Sequence, residues 1–375
     1  MLRKILTLLA GALMFFSASA FNASDIPADL PDSIFVAMKD GHVQGIALDR
    51  EKGFLYLSFT SSFLKTDLQG NLIGSINRIQ GHLGAMTLGP DGRVYASLEC
   101  KDDSIGQGVA SRLGIENLSH EQSVFYVAII DVDKIDRIGI DPEKDGVMTT
   151  VCVREACKDY QDSKYGCSGI DGITFAPAFG KKGGKMYLYV GYGIYGDNDR
   201  TDNDNQILLR YDVCGWKRFE SPVVFGTVPT NGPAKPQKKY FIHTGNTNWG
   251  IQNLAWDAFT GRMYMAVYKG KKANYPNYDL FSLNVAQKAF KAVPKGLDEK
   301  HLCLSLDKAG LHDAASDTWG WMFKWGSTGL CPLGGGLWYI SENGKDKVTR
   351  IQSCNARLYR WTEDPVCPFV PARQE

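Results

Sequence analysis

Two histidines and one aspartate could move protons near neutral pH: His42, His82 and Asp171. Imidazole titrates close to physiological pH, and a carboxyl can be tuned into the same range by burial, so the set suits general acid–base catalysis. Each stands at the head of a short, mostly apolar segment, at residues 44–48, 84–88 and 171–175. A fourth segment of the same kind, residues 252–256, opens with Gln252 and Asn253. Gln44 occupies that place in the first. A fifth, around 331–334, offers nothing strongly polar. Asp171 with Gln44, Gln252 and backbone carbonyls also provides oxygens of the sort Ca²⁺ or another divalent cation takes. The plainer alternative is that these groups hydrogen-bond one another and order water.

A second acidic cluster lies in residues 196–205, where Asp197, Asp199, Asp202 and Asp204 fall within eight positions. Such a loop could wrap a calcium ion, although it lacks the central Gly and closing Glu of an EF-hand. Aromatic residues gather nearby in sequence: Tyr192, Tyr195, Tyr268, Tyr275 and Tyr278, with Trp249 beside the fourth segment. Flat rings next to amides, carboxylates and Lys269, Lys271 and Lys272 can stack on sugars while their neighbours bond hydroxyls. The competing use of such rings is packing between sheets.

The elements that must position these groups repeat. A Gly-x-apolar-Tyr unit begins at Gly53, Gly92, Gly184, Gly261 and Gly336, ending at Tyr56, Tyr95, Tyr187, Tyr264 and Tyr339. An Asp-containing turn precedes the first, second and fourth copies, at Asp49, Asp91 and Asp257. Asp supplies a side-chain bond to the backbone and Gly a positive φ, as tight hairpins require. A third strand is expected at 63–67, 127–131, 208–212, 280–284 and 358–362, and a fourth at 72–76. Short strands in groups of four, five times over, predict an all-β chain folded as a closed five-bladed β-propeller. Uneven spacing between copies would also accommodate six or seven blades. The last copy runs out of chain after its third strand, and an isolated strand at 33–38 is available to complete it, removing an exposed edge. Residues 100–122, 228–248 and 296–329 lack the repeat and read as insertions, with a helical turn expected within 110–122.

The units resemble those of the broad propeller class that includes NHL-repeat and gluconolactonase-like proteins. The resemblance rests on the strand-opening motifs and Gly-x-apolar-Tyr units just described, over nearly the whole chain. It implies a propeller and transfers no reaction, because one fold hosts many functions.

Arg3 and Lys4, an apolar run at 5–16 and the small residues Ala18-Ser19-Ala20 predict a signal peptide over residues 1–20, followed by one domain over 21–375. A secreted or periplasmic protein is expected, with no membrane insertion once the signal is removed. Export makes disulfides the default for its nine cysteines. A metal site formed by Cys152, Cys157 and Cys167 is the less favoured reading, since no His neighbours them. With 42 Lys+Arg against 41 Asp+Glu, nothing in the charge favours nucleic acid. The expectation is an exported hydrolase, lactonase or lyase acting at the central mouth on a carbohydrate or other polar small molecule, with His42, His82 and Asp171 catalytic. Gln44, Gln252, Asn253, Trp249, Tyr192, Tyr195 and Tyr268 would bind ligand. A non-catalytic glycan- or protein-binding module is the alternative.

Overall fold

The computed structural model describes residues 26–39 and 41–373. Residues 1–20, expected from the sequence to be a signal peptide, lie outside them. The strands sort into five antiparallel blades, matching the sequence expectation.

The first blade is a meander of Val43–Asp49, Phe54–Phe59, Ser62–Asp67 and Leu72–Ile76. The second runs His82–Leu88, Val94–Cys100, Val124–Ile130 and Met148–Cys152. The third uses Cys167–Pro177, Met186–Ile194, Asn205–Tyr211 and Lys238–His243. The fourth is Thr247–Asp257, Arg262–Lys269 and Leu280–Asn284, with a hairpin of Leu311–Asp313 and Thr318–Gly320 bridged to it through Trp321. The fifth combines Leu330–Gly334, Leu337–Lys345 and Gln352–Trp361 with the N-terminal strand Ser33–Met38, which pairs antiparallel to Gln352–Trp361. Each innermost strand touches the next, and Leu330–Gly334 returns to touch Val43–Asp49.

Local chemistry explains the hairpins. Asp49 accepts the Lys52 amide at 3.0 Å, and Asp257 accepts those of Phe259 and Thr260 at 3.3 and 3.0 Å. Gly53 and Gly261 follow at φ of 71° and 68°, a conformation that costs a side-chain-bearing residue about 1 kcal/mol. Where inner strands meet, room is short. A Cβ on Gly45 would fall 2.8 Å from the Ala85 Cα, and one on Gly172 2.4 Å from the Ile251 side chain.

The apolar core lies between blades. Phe63, Leu83, Val127 and Ile173 belong to the layer joining the first three blades, and Met265, Phe281 and Tyr189 to that joining the third and fourth. Tyr264, Trp338 and Trp361 interlock edge to face between the fourth and fifth at centroid distances of 5.0 and 5.1 Å. Each such ring contributes roughly 1.5–3 kcal/mol by burial, so the sheets are held face to face around the ring.

Three departures have physical causes. The stretch 228–248, read as an insertion, carries the third blade's fourth strand after a long polar loop. The stretch 296–329 supplies His301–Cys303, parallel to that strand, and the outer hairpin. The helix of 100–122 is Ser104–Leu113, starting earlier than expected because Asp103 caps it by accepting the Gly106 amide at 2.8 Å.

All nine cysteines are unbridged. The sulfurs of Cys152 and Cys157 lie 3.7 Å apart, one on a strand end and the other on the following helix. Cys167 turns instead toward backbone carbonyls. The expected disulfide framework is therefore not formed here. Among the described residues no helix is long and apolar enough to cross a membrane.

Candidate functional site

The inner strands open at one end of the ring, and that end gathers the polar groups. Asp171 sits only 8% exposed, its Oδ2 accepting from Gln252 Nε2 at 2.8 Å. The same Gln252 amide donates to the Trp249 carbonyl at 3.0 Å. Asn253 donates to the carbonyls of Gln44 and Ser327, each at 2.9 Å, tying the first and fourth inner strands to the loop that enters the fifth. His42 lies between two amides, Gln44 Nε2 and Asn343 Nδ2, each 3.4 Å from a ring nitrogen. Tyr268 lines the same end, bonded to Ser327.

At the centre is a buried charge cluster that the sequence reading missed in part. Glu99 and Lys101 extend from the second strand of the second blade, with Lys101 Nζ 2.7 Å from Glu99 Oε2. Glu99 Oε1 also accepts the Ile170 amide at 2.9 Å, and Lys101 donates to the Ser168 carbonyl at 2.8 Å. Both therefore clamp the segment that leads into Asp171. His82 Nδ1 stands 3.7 Å from Glu99 Oε2, while its Nε2 is buried with no partner among the described residues. A Glu in the run Val94–Cys100, otherwise apolar or small, was the available signal.

These surroundings tune the site. Burial, reinforced by the charge of Glu99, pushes the Asp171 carboxyl up to about 7. Burial alone would lower the His82 imidazole, but its bond to Glu99 and the charges of Asp171 and Glu99 outweigh it and raise it. Burial lowers His42, with His82 and Lys345 adding to the effect. Glu99 resists burial and stays low because Lys101 and His82 face it. Asp171 and Glu99 thus titrate together, with His82 in the field of both, rather than as independent groups. Asp171 and His82 can accept a proton at one atom and deliver one at another.

The expected ligand-binding residues divide. Trp249 is 44% exposed and meets the exposed Tyr195 edge to face at 5.7 Å, forming an aromatic rim beside Gln252. Trp249 holds a φ of 65°, a strained backbone for a non-glycine residue. Tyr192 is a correction: it is fully buried and donates to Asp159 at 2.8 Å, since its place in the strand faces the core between blades.

The aspartate loop is a second correction. Asp197 accepts the Asp199 amide at 2.9 Å, and both are exposed. Asp202 pairs with Arg200 and accepts the Tyr165 amide. Asp204 is buried against Lys272 at 2.7 Å and Tyr275 at 2.9 Å. The four carboxylates diverge to separate partners, and among the described residues no three His, Cys, Asp or Glu side chains are grouped to hold a metal. The hub does not fit a divalent cation either. Lys101 already supplies the positive charge on Glu99, and Asp171 tends to hold a proton, leaving no cage of anionic oxygens.

Solved structures similar to this chain include a soluble aldose sugar dehydrogenase from Escherichia coli, at 12% identity and a TM-score of 0.32 over 64% of this chain. The match covers 65% of that enzyme's length. Another is a gluconolactonase from Xanthomonas campestris, at 11% identity and a TM-score of 0.35, over 91% of this chain and 80% of the other. A third is a glucose dehydrogenase, at 12% identity and a TM-score of 0.36, over 85% and 97%. No family model and no curated protein matches the chain. At these scores the resemblance carries no chemistry, and the five-bladed architecture rests on the strand pairings themselves.

Proposed function

We propose that this propeller is an acid–base enzyme, of the hydrolase, lactonase or lyase type, acting at the polar end of its axis on a carbohydrate or a related polar small molecule. The carrying observation is the buried couple of Asp171, pushed to about 7, and His82, whose Nε2 has no partner among the described residues. A buried imidazole nitrogen without a bond is costly unless something else meets it. In lactone hydrolysis the ionised form of Asp171 takes a proton from the attacking water, and His82, held toward its charged form, delivers one from Nε2 to the ring oxygen as that oxygen's bond to the acyl carbon breaks. Glu99 and Lys101 hold the couple in place, and Trp249 with Tyr195 offers the sugar a stacking surface. Export through residues 1–20 belongs to the same proposal and is checked by the N-terminus of the protein recovered outside the cytoplasm.

The test is a panel of aldonolactones, glycosides and uronate oligosaccharides. Turnover of an accepted substrate falls by about 10²–10⁴ in Asp171→Asn and His82→Ala. Full turnover in both variants, and in His42→Ala, would end this reading. The exposed rim favours one second reading, a glycan-binding module. It calls for binding without turnover, lost in Trp249→Ala and Tyr195→Ala but retained in Asp171→Asn.

A further inference from the structure

A cavity away from the axis, between the third and fourth blades, has a chemistry of its own. It is a half-open cavity of about 340 Å³, enough for a small ligand. Asn205 and His243, from neighbouring strands of the third blade, face into it, with Phe241 and Val293 as apolar wall and Lys295 and Trp319 at the side.

Two of its polar groups are unmatched. Asn205 is 1% exposed and spends its amide nitrogen on the Lys295 carbonyl at 2.9 Å, which fixes its orientation and leaves Oδ1 buried with no protein partner. Among the described residues no hydrogen-bond partner meets either buried ring nitrogen of His243, and the groups that favour its charged form are the Asp204 carboxylate and backbone and the Asp317 carboxylate. Burial, then the charge of Lys295, lowers the imidazole, so it is neutral at pH 7 with one donor and one acceptor nitrogen. Buried polar groups in folded proteins are nearly always bonded, and two facing one cavity are a ligand-shaped exception. Together they present two acceptors and one donor beside a partly apolar floor, and so call for two donors and one acceptor. A hydroxyl answers either role, and several hydroxyls on one ring answer all three.

We infer that this cavity is a second ligand site, separate from the axial couple, and that it takes a monosaccharide-sized ring bearing hydroxyl groups. The ring lies against Phe241 with hydroxyls on Asn205 Oδ1 and both nitrogens of His243.

The experiment is titration calorimetry of the full chain with glucose, galactose, gluconate and galacturonate. At least one binds with a Kd of about 1 mM or tighter. His243→Phe, which keeps the ring's bulk but removes its nitrogens, weakens that binding at least about tenfold. Val293→Trp fills the cavity from an exposed position without touching a polar group and weakens it likewise, which covers the case of a poorly folding His243 variant. Asp171→Asn leaves it unchanged. Absence of binding by all four probes overturns the inference, as does binding that survives both cavity variants. Binding lost only in Asp171→Asn places the sugar at the axis, overturning the second site while supporting the first.

Discussion

Replacing Asp171 with Asn should stabilise the protein while silencing it, and only at high pH. Asp171 has a folded-state value near 7 against 3.8 for an ordinary Asp, so between those two pH values the folded state binds more protons than the unfolded one. Stability supplied by that bound proton is complete at acid pH and is lost progressively as pH rises through the folded value. At 1.36 kcal/mol per pH unit, the full cost of ionising the group is about 4 kcal/mol above pH 7, an upper bound for a carboxyl coupled to its neighbours. Asparagine keeps the shape and can still accept from Gln252, but has no charge to bury. Glu99 titrates with the opposite slope and is present in both proteins. Urea unfolding at pH 4.5 and pH 8 therefore gives similar stabilities at the lower pH and an Asp171→Asn advantage of about 2–4 kcal/mol at the higher. An advantage independent of pH, or an Asn variant less stable at pH 8, would refute the account of this carboxyl.

Gly84→Ala places a methyl 2.4 Å from Ser97 Oγ and 2.7 Å from Asp171 Oδ1. It should cost only about 1–2 kcal/mol on thermal melting yet cut turnover at least about tenfold, because the carboxyl must move. Trp249→Gly relieves the backbone held at φ 65° and should raise stability by about 1 kcal/mol while raising KM about tenfold through loss of the rim. Ile34→Ala, at a nearly fully buried position of the N-terminal strand opposite Ala356, should cost about 2–5 kcal/mol in denaturant titration, and a loss under 1 kcal/mol would show that this strand does not hold the fifth blade.

What the sequence disclosed depended on how local the chemistry was. Asp49, Asp257 and the glycines after them announce hairpins through contacts within four residues, so the blades were legible. His42, His82 and Asp171 could be placed at one end of the axis because their segments align, and the structure brings them there. Glu99 and Lys101 escaped notice because they lie on and just past a second strand, and nothing nearby in sequence shows that a salt bridge is buried beside the axis. The aspartate loop misled for the converse reason: the carboxylates are close in sequence, but Asp204 is claimed by Lys272 and Tyr275, some seventy residues away. Tyr192 and Tyr195 stand three residues apart, but Tyr192 lies within the strand and is buried, whereas Tyr195 follows its end and is exposed.

The pairing of Ser33–Met38 with Gln352–Trp361 has a consequence for biosynthesis. The strand Ser33–Met38 must remain unpaired until a partner some three hundred residues later has emerged, since the Tyr339 hydroxyl reaches the Pro31 carbonyl across 308 residues and Arg373 reaches Leu30 across 343. Contacts that distant in sequence form slowly. Until they do, the outermost strand of the final sheet is left bare, and that is when a half-made molecule is most exposed to pairing with a neighbour or to a protease.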